Sequence, residues 1–119
     1  MRFAMLICGD DGEWDALSPA EVQDLMNQVY GWFERWQPTG KVVEGGAELQ
    51  PRGTARTVRV GADGPVITDG PYLELKEVVG GIVMLECDDV DEAARIAATW
   101  PFGPGMSALE VRPVISTGA

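Results

Sequence analysis

At 119 residues, with 45% apolar and 24% charged side chains and a mean hydropathy of -0.02, the chain has the size and mixture of one water-soluble domain around a single core. Its net charge of -10 and pI of about 4.2 repel phosphate backbones, which argues against nucleic acid and anionic membranes as partners. Histidine is absent, so Ser-His and Cys-His nucleophile pairs, His-based metal sites and the usual general base near neutral pH are excluded as well.

The first run, Arg2–Cys8 (RFAMLIC), is apolar and bounded by Gly9-Asp10, which predicts a central strand buried on both faces. It is too short to span a bilayer, and no charged-then-apolar leader is recognisable. With only Cys8 and Cys87 for cysteines, the chain fits a reducing compartment, and a cytoplasmic protein is expected. Asp10–Asp15 (DDGEWD) reads as a solvated loop, because it lacks the alternating ligand spacing of a calcium loop. Ser18–Glu21 (SPAE) is a capping box with proline at the first helical position. Behind it Val22, Leu25, Met26, Val29, Phe33 and Trp36 recur at helical spacing, with Trp32 beside them. That stripe predicts an amphipathic helix of about five turns, ended by Gln37–Gly40.

Lys41–Gln50 reads as a strand interrupted by Gly45-Gly46, where a bulge, a bend or a close backbone approach is expected between Glu44 and Glu48. Thr54–Val60 alternates polar and apolar residues, which predicts a strand with one wet face. Gly61–Gly64 (GADG) marks a hairpin turn, and Pro65–Thr68 the return strand.

Thr68–Glu77 (TDGPYLELKE) comes next. Gly70 and Pro71 suit a corner into a short helix, with Asp69 either capping its free N–H groups or facing a cleft as a base. Tyr72 and Lys76 either offer donors to a ligand carboxylate or enolate, or belong to a solvated turn.

Gly80–Cys87 predicts a second apolar, central strand. Asp88–Pro101 opens with aspartates suited to an N-cap and places Val90, Ala93, Ala94, Ala97 and Trp100 on one helical face. Ala108–Ile115 is the last strand, with Glu110 and Arg112 on one sheet face. Arg112 is either the cross-strand partner of a glutamate or an anion clamp. Trp36 and Trp100 read as core, and Trp32 and Phe102 as free to line a cleft or an interface. Cys8 and Cys87 read as small buried side chains, close together if their strands are neighbours.

The order β-α-β-β-β-(short helix)-β-α-β predicts an α+β fold. It is a ferredoxin-like split βαβ plan with an inserted hairpin and both long helices on one sheet face. The other face is left bare, which a soluble monomer avoids, so a homodimer with its sheets face to face is expected.

Gly45–Pro51 (GGAELQP), Arg56–Val60 (RTVRV), TDGPYLELKE, Asp88–Ala93 (DDVDEA) and Glu110–Val114 (EVRPV) resemble the YCII-related proteins, specifically the subgroup named for its DGPF motif. Order and spacing agree over almost the whole chain. The resemblance implies a dimeric ferredoxin-like α/β barrel. Function in that family is largely unassigned. Some relatives carry a His–Asp pair proposed as catalytic, and a chain without histidine cannot inherit it intact. Asp69, Gly70 and Pro71 match the motif, while Tyr72 stands in place of its Phe and adds a hydroxyl.

Two functions follow as expectations. One is an enzyme without metal or cofactor, doing acid–base chemistry on a small molecule with Asp69 as base and Tyr72, Lys76 and Arg112 orienting the ligand. The other is a non-catalytic small-molecule-binding or regulatory module acting as a homodimer.

Overall fold

The computed structural model describes residues 1–71 and 78–116. The chain runs β1 (Arg2–Gly9), α1 (Asp11–Asp15), α2 (Pro19–Trp36), β2 (Val42–Glu48), β3 (Arg56–Gly61), β4 (Gly64–Asp69), β5 (Val78–Glu86), α3 (Val90–Ala97) and β6 (Met106–Pro113). The short helix expected after Pro71, with Tyr72 and Lys76, lies outside the described residues.

Four strands form one antiparallel sheet in the order β2-β5-β1-β6, and β3 and β4 pair separately as a hairpin. Because β1 and β2 are both antiparallel to β5, they run parallel to each other with β5 between them. That is the split βαβ arrangement, with the hairpin inserted between β2 and β5.

The pleat decides which side chains meet the helices. Phe3 and Met5 of β1 stand opposite Leu85 and Val83 of β5, and all four are buried. Leu25, Val29 and Trp32 from α2 and Ala93, Ile96 and Ala97 from α3 are buried as well, and all but Leu25 join that sheet face in one core. Fully burying a large apolar side chain stabilises by about 1.5–3 kcal/mol, so this face holds the fold together. The aromatic centre is Trp32, whose ring lies edge-on to Trp100 at 4.9 Å and to Phe33 at 5.2 Å.

Both helices begin where their sequence asks them to. Ser18 accepts from the Glu21 N–H, and the Glu21 carboxylate accepts from the Ser18 N–H, closing the capping box. Asp89 accepts from the Glu92 N–H at the start of α3.

Several expectations change. Asp11–Asp15 is a helical turn rather than a loop, because Asp10 caps it through the Gly12 N–H at 2.8 Å. β1 is buried on one face only, since Ala4, Leu6 and Cys8 on the other side are half-buried. Trp32 is core, while Phe102 is 53% exposed. The buried face of α3 is Ala93, Ile96 and Ala97, leaving Val90 and Ala94 exposed. β1 and β5 are neighbours, yet they run antiparallel: Cys8 stands opposite Val79, and Cys87 follows the Arg2–Glu86 pair at the far end. The two thiols are therefore a strand's length apart.

The hairpin inverts its expected polarity. Thr57 is its buried residue, while Val58 opposite Ile67, and Val60 opposite Pro65, face outward. Val58, Val60 and Ile67 are 62%, 94% and 70% exposed. Apolar pairs normally turn to a core, and among the described residues these have none.

Candidate functional site

The site begins with a mismatch between β2 and β5. Val43 stands opposite Met84 and Ala47 opposite Ile82, so β2 spends four steps where β5 spends two. The surplus is a bulge at Gly45-Gly46. Gly45 has φ 114°, a left-handed conformation that suits glycine. At Gly46 a Cβ would sit 2.4 Å from the Ile82 carbonyl oxygen and 3.1 Å from Val83 Cα, so only glycine lets the bulge close on β5.

Beyond the bulge the pleat resumes with Glu48 opposite Gly81, and Gly81 opposite Ile7. Gly81 shares the helix-facing side with Val83 and Leu85, so Glu48 faces that side too. Gly81 is itself buried, with Ile7 Cδ1 3.4 Å from where a Cβ would stand, so the hollow left by its missing side chain is a shallow one between Glu48 and Ile7.

The hollow is the floor of a cleft of about 910 Å³. Met26, Val29, Tyr30 and Phe33 of α2 form one wall, with Trp100 beside them. Asp10, Asp11 and Trp14 form another with Gly105 and Met106, and Glu44 to Pro51 form the outer lip.

The α1 wall is fixed by four hydrogen bonds. The Asp10 N–H donates to the Gly105 carbonyl at 2.9 Å, and the Gly105 N–H donates to Glu13 Oε2 at 3.1 Å. Asp10 Oδ1 caps the helical turn, and Asp11 Oδ2 accepts from the Arg52 N–H at 2.9 Å, tying the wall to the lip.

Four carboxylates line the cleft, those of Asp10, Asp11, Glu44 and Glu48, and no described lining residue is a lysine or arginine. Asp10 and Asp11 are taken up by the bonds just given. Glu44 and Glu48 have no hydrogen bond or ion pair within the described residues.

The residues singled out in the sequence lie elsewhere. Asp69 ends β4 opposite Arg56. Its side chain is 90% exposed, with Oδ1 3.1 Å from Arg56 Nε. Gly70, at φ 90°, turns the corner: its N–H donates to the Ala55 carbonyl at 2.9 Å and its carbonyl accepts from Thr57 Oγ1 at 2.7 Å. Arg112 stands opposite Ala4 on the side of the sheet away from the helices, exposed, and Glu110 lies opposite Leu6 on that same side. Neither Asp69 nor Arg112 lines the cleft. Tyr72 and Lys76 are outside the described residues. The lining residues Gly81, Trp14 and Tyr30 were not singled out from sequence. The signal that could have found the floor is the pair of double glycines, 45–46 and 80–81, in neighbouring strands.

A second polar cluster joins β2 to α3. Lys41 Nζ meets Glu92 Oε1 at 2.9 Å, and the same oxygen accepts from the Asp88 N–H at 3.1 Å. The hydrogen bond from Lys41 holds the Glu92 carboxyl below its usual range, and the same bond holds the Lys41 ammonium above its own. Burial, followed by the nearby Glu92 carboxylate, pushes the Cys87 thiol up to about 11. It is a neutral packing group at physiological pH and not a thiolate nucleophile.

Among the described residues no group of three or more Cys, Asp or Glu side chains is placed to hold a metal, and no helix is long and apolar enough to cross a membrane.

The sequence model of the YCII-related domain matches residues 1–117. An uncharacterised protein of Rhizobium meliloti (strain 1021) is 30% identical over 115 residues, which cover 96% of this chain and 92% of that protein.

Proposed function

Starting from a chain that belongs to the YCII-related family and carries a glycine-floored cleft, we propose a small-molecule-binding protein that acts as a homodimer, with its ligand over Gly81. One observation carries this reading. A β-strand position in the middle of a packed sheet face has no side chain, and helix and loop walls rise around the gap. Ligand sites are typically clefts of roughly 300–1,000 Å³ with apolar and aromatic walls and a few fixed polar groups. The volume of about 910 Å³ and the Trp14, Tyr30 and Phe33 lining agree with that description.

The dimer and the DGPF-type assignment belong to the same proposal. Support for the dimer comes from apolar surface that the described residues leave uncovered: Ala4 and Leu6, half-buried on the open sheet side, and Val58, Val60 and Ile67, exposed on the hairpin. A cytoplasmic site of action agrees with two free cysteines. The acid–base alternative, with Asp69 as base and Tyr72, Lys76 and Arg112 as orienting groups, draws on the motif alone. No described contact joins Asp69 to Arg112.

A metabolite and fragment screen by thermal shift tests the reading, followed by titration of hits against two variants. Ligands should raise the Tm of the wild type and lose at least tenfold in affinity in Gly81→Val, whose side chain fills the hollow. They should bind Asp69→Asn normally. Circular dichroism shows whether Gly81→Val is folded. Hits that survive Gly81→Val but vanish in Asp69→Asn, or turnover that Asp69→Asn abolishes, would overturn it in favour of the acid–base reading.

A further inference from the structure

We infer that the cleft selects organic cations, specifically a protonated amine carried on an aromatic or branched apolar body. This rests on the reading of the cleft as a binding site and adds the charge of what it binds.

Three features carry the inference. First, Glu48 is exposed and lies in the same row as Gly81 on the helix-facing side of the sheet, beside a floor position with no side chain. Its carboxylate has no hydrogen bond or ion pair within the described residues, and neither has that of Glu44 across the bulge. An ammonium supplies three donors to acceptors of this kind. Second, no lysine or arginine stands in the described lining to offset those charges. An anionic ligand would enter against four carboxylates with no partner among the described lining residues, and discrimination of this kind rests on such unpaired like charge as much as on attraction. Third, Trp14, Tyr30 and Phe33 line the same space. Aromatic faces attract cations as well as apolar bodies, so one set of walls serves both halves of the ligand.

The overall charge of -10 draws any cation toward the protein. The inference is therefore specific to Glu48, and a carboxylate outside the cleft serves as its control. Glu110, on the opposite side of the sheet, is that control.

The experiment uses matched probes that differ only in charge: tryptamine, tryptophol and indole-3-acetate, with phenethylamine and 2-phenylethanol as a smaller pair. Affinities are measured at pH 7 by calorimetry on the purified full chain. The amine should bind about tenfold more tightly than its alcohol, and the carboxylate should not bind. Glu48→Gln should bring the amine down to the level of the alcohol and leave the alcohol unchanged, while Glu110→Gln changes neither. If amine and alcohol bind alike and both are lost in Gly81→Val, the cleft is a site and the inference about charge is wrong. If none of the probes binds at millimolar concentration, or if binding ignores Gly81→Val, the cleft reading fails and this one with it.

Discussion

Glu48 stands opposite Gly81 across the β2–β5 pair, so a carboxylate flanks a strand position with no side chain of its own. The relationship depends on the bulge. Paired without a bulge, β2 would set Gly46 opposite Gly81 and Glu48 opposite Val79; the two-residue surplus shifts the register and, being even, keeps Glu48 on the face that Val42 takes. The bulge therefore brings Glu48 beside Gly81 at the lip of the cleft.

The two kinds of glycine in this region should respond differently to alanine. A Cβ at Gly46 would lie 2.4 Å from the Ile82 carbonyl oxygen, whereas one at Gly81 would meet Ile7 Cδ1 at 3.4 Å and the Ala47 carbonyl oxygen at 3.5 Å, which is ordinary contact. Gly46→Ala should lose about 1–3 kcal/mol or fail to fold, while Gly81→Ala should hold or gain roughly 0.4–1 kcal/mol. Urea unfolding of the two variants decides it. Equal stabilities would mean that the bulge is not closed as described.

Trp32 Nε1 and Trp36 Nε1 both donate to Thr99 Oγ1, at 2.9 and 3.1 Å, and the hydroxyl itself donates to the Ile96 carbonyl at 2.6 Å. Thr99→Val keeps the shape and removes the acceptor, leaving the buried Trp32 N–H unpaired. The expected cost is about 1–3 kcal/mol, a fall in Tm of several degrees for a domain of this size. Thr99→Ser should recover most of it. A Tm for Thr99→Val within a degree of wild type would show that the hydroxyl is dispensable.

Alkaline pH should expose the Cys87 thiol. Its pKa rises from 9.0 to about 11 on folding. The unfolded chain therefore loses the proton first, and stability present below pH 9 declines between pH 9 and 11, by on the order of 2 kcal/mol from this group. Lys41, raised by its bond to Glu92, acts in the same direction at higher pH. Cys87→Ala should be less stable at pH 8 but show a shallower decline toward pH 11. Parallel declines in the two proteins would contradict the assignment.

The apolar pairs on the hairpin predict an effect on assembly and none on folding. Val58 and Ile67 are opposite one another and mostly exposed, so Ile67→Glu should leave the protomer's Tm unchanged while weakening the dimer at least tenfold in sedimentation velocity. Leu6→Glu, on the open sheet side, is its counterpart. A wild type that sediments as a monomer at tens of micromolar would end the dimer proposal.

Much of the fold was legible because its signals are local. The capping box at Ser18–Glu21, the stripe through Leu25 and Val29, and the glycine turn at 61–64 each specify their element without reference to distant residues. The register beyond the bulge was not legible. Alternation alone puts Glu48 on the face of Val42, but that Glu48 and not Gly46 stands opposite Gly81 depends on the bulge, and that pairing joins residues 33 positions apart. Asp69 misled for the opposite reason. Its neighbours Gly70 and Pro71 make a conspicuous motif, but the corner they form is closed by Thr57 and Ala55, and the Asp69 carboxylate meets Arg56 in solvent. Val58 and Val60 show that alternation gives the two faces of a strand without saying which of them finds a core.

The measurement closest to the central claim is an amide chemical-shift titration of the labelled protein with the tightest-binding small molecule from the screen. The glycine amides of this chain mark both competing sites. Shifts should centre on Gly46, Gly81 and Gly105 around the cleft and leave Gly70 at the Asp69 corner unmoved. Shifts centred on Gly70, with Gly81 silent, would contradict the account.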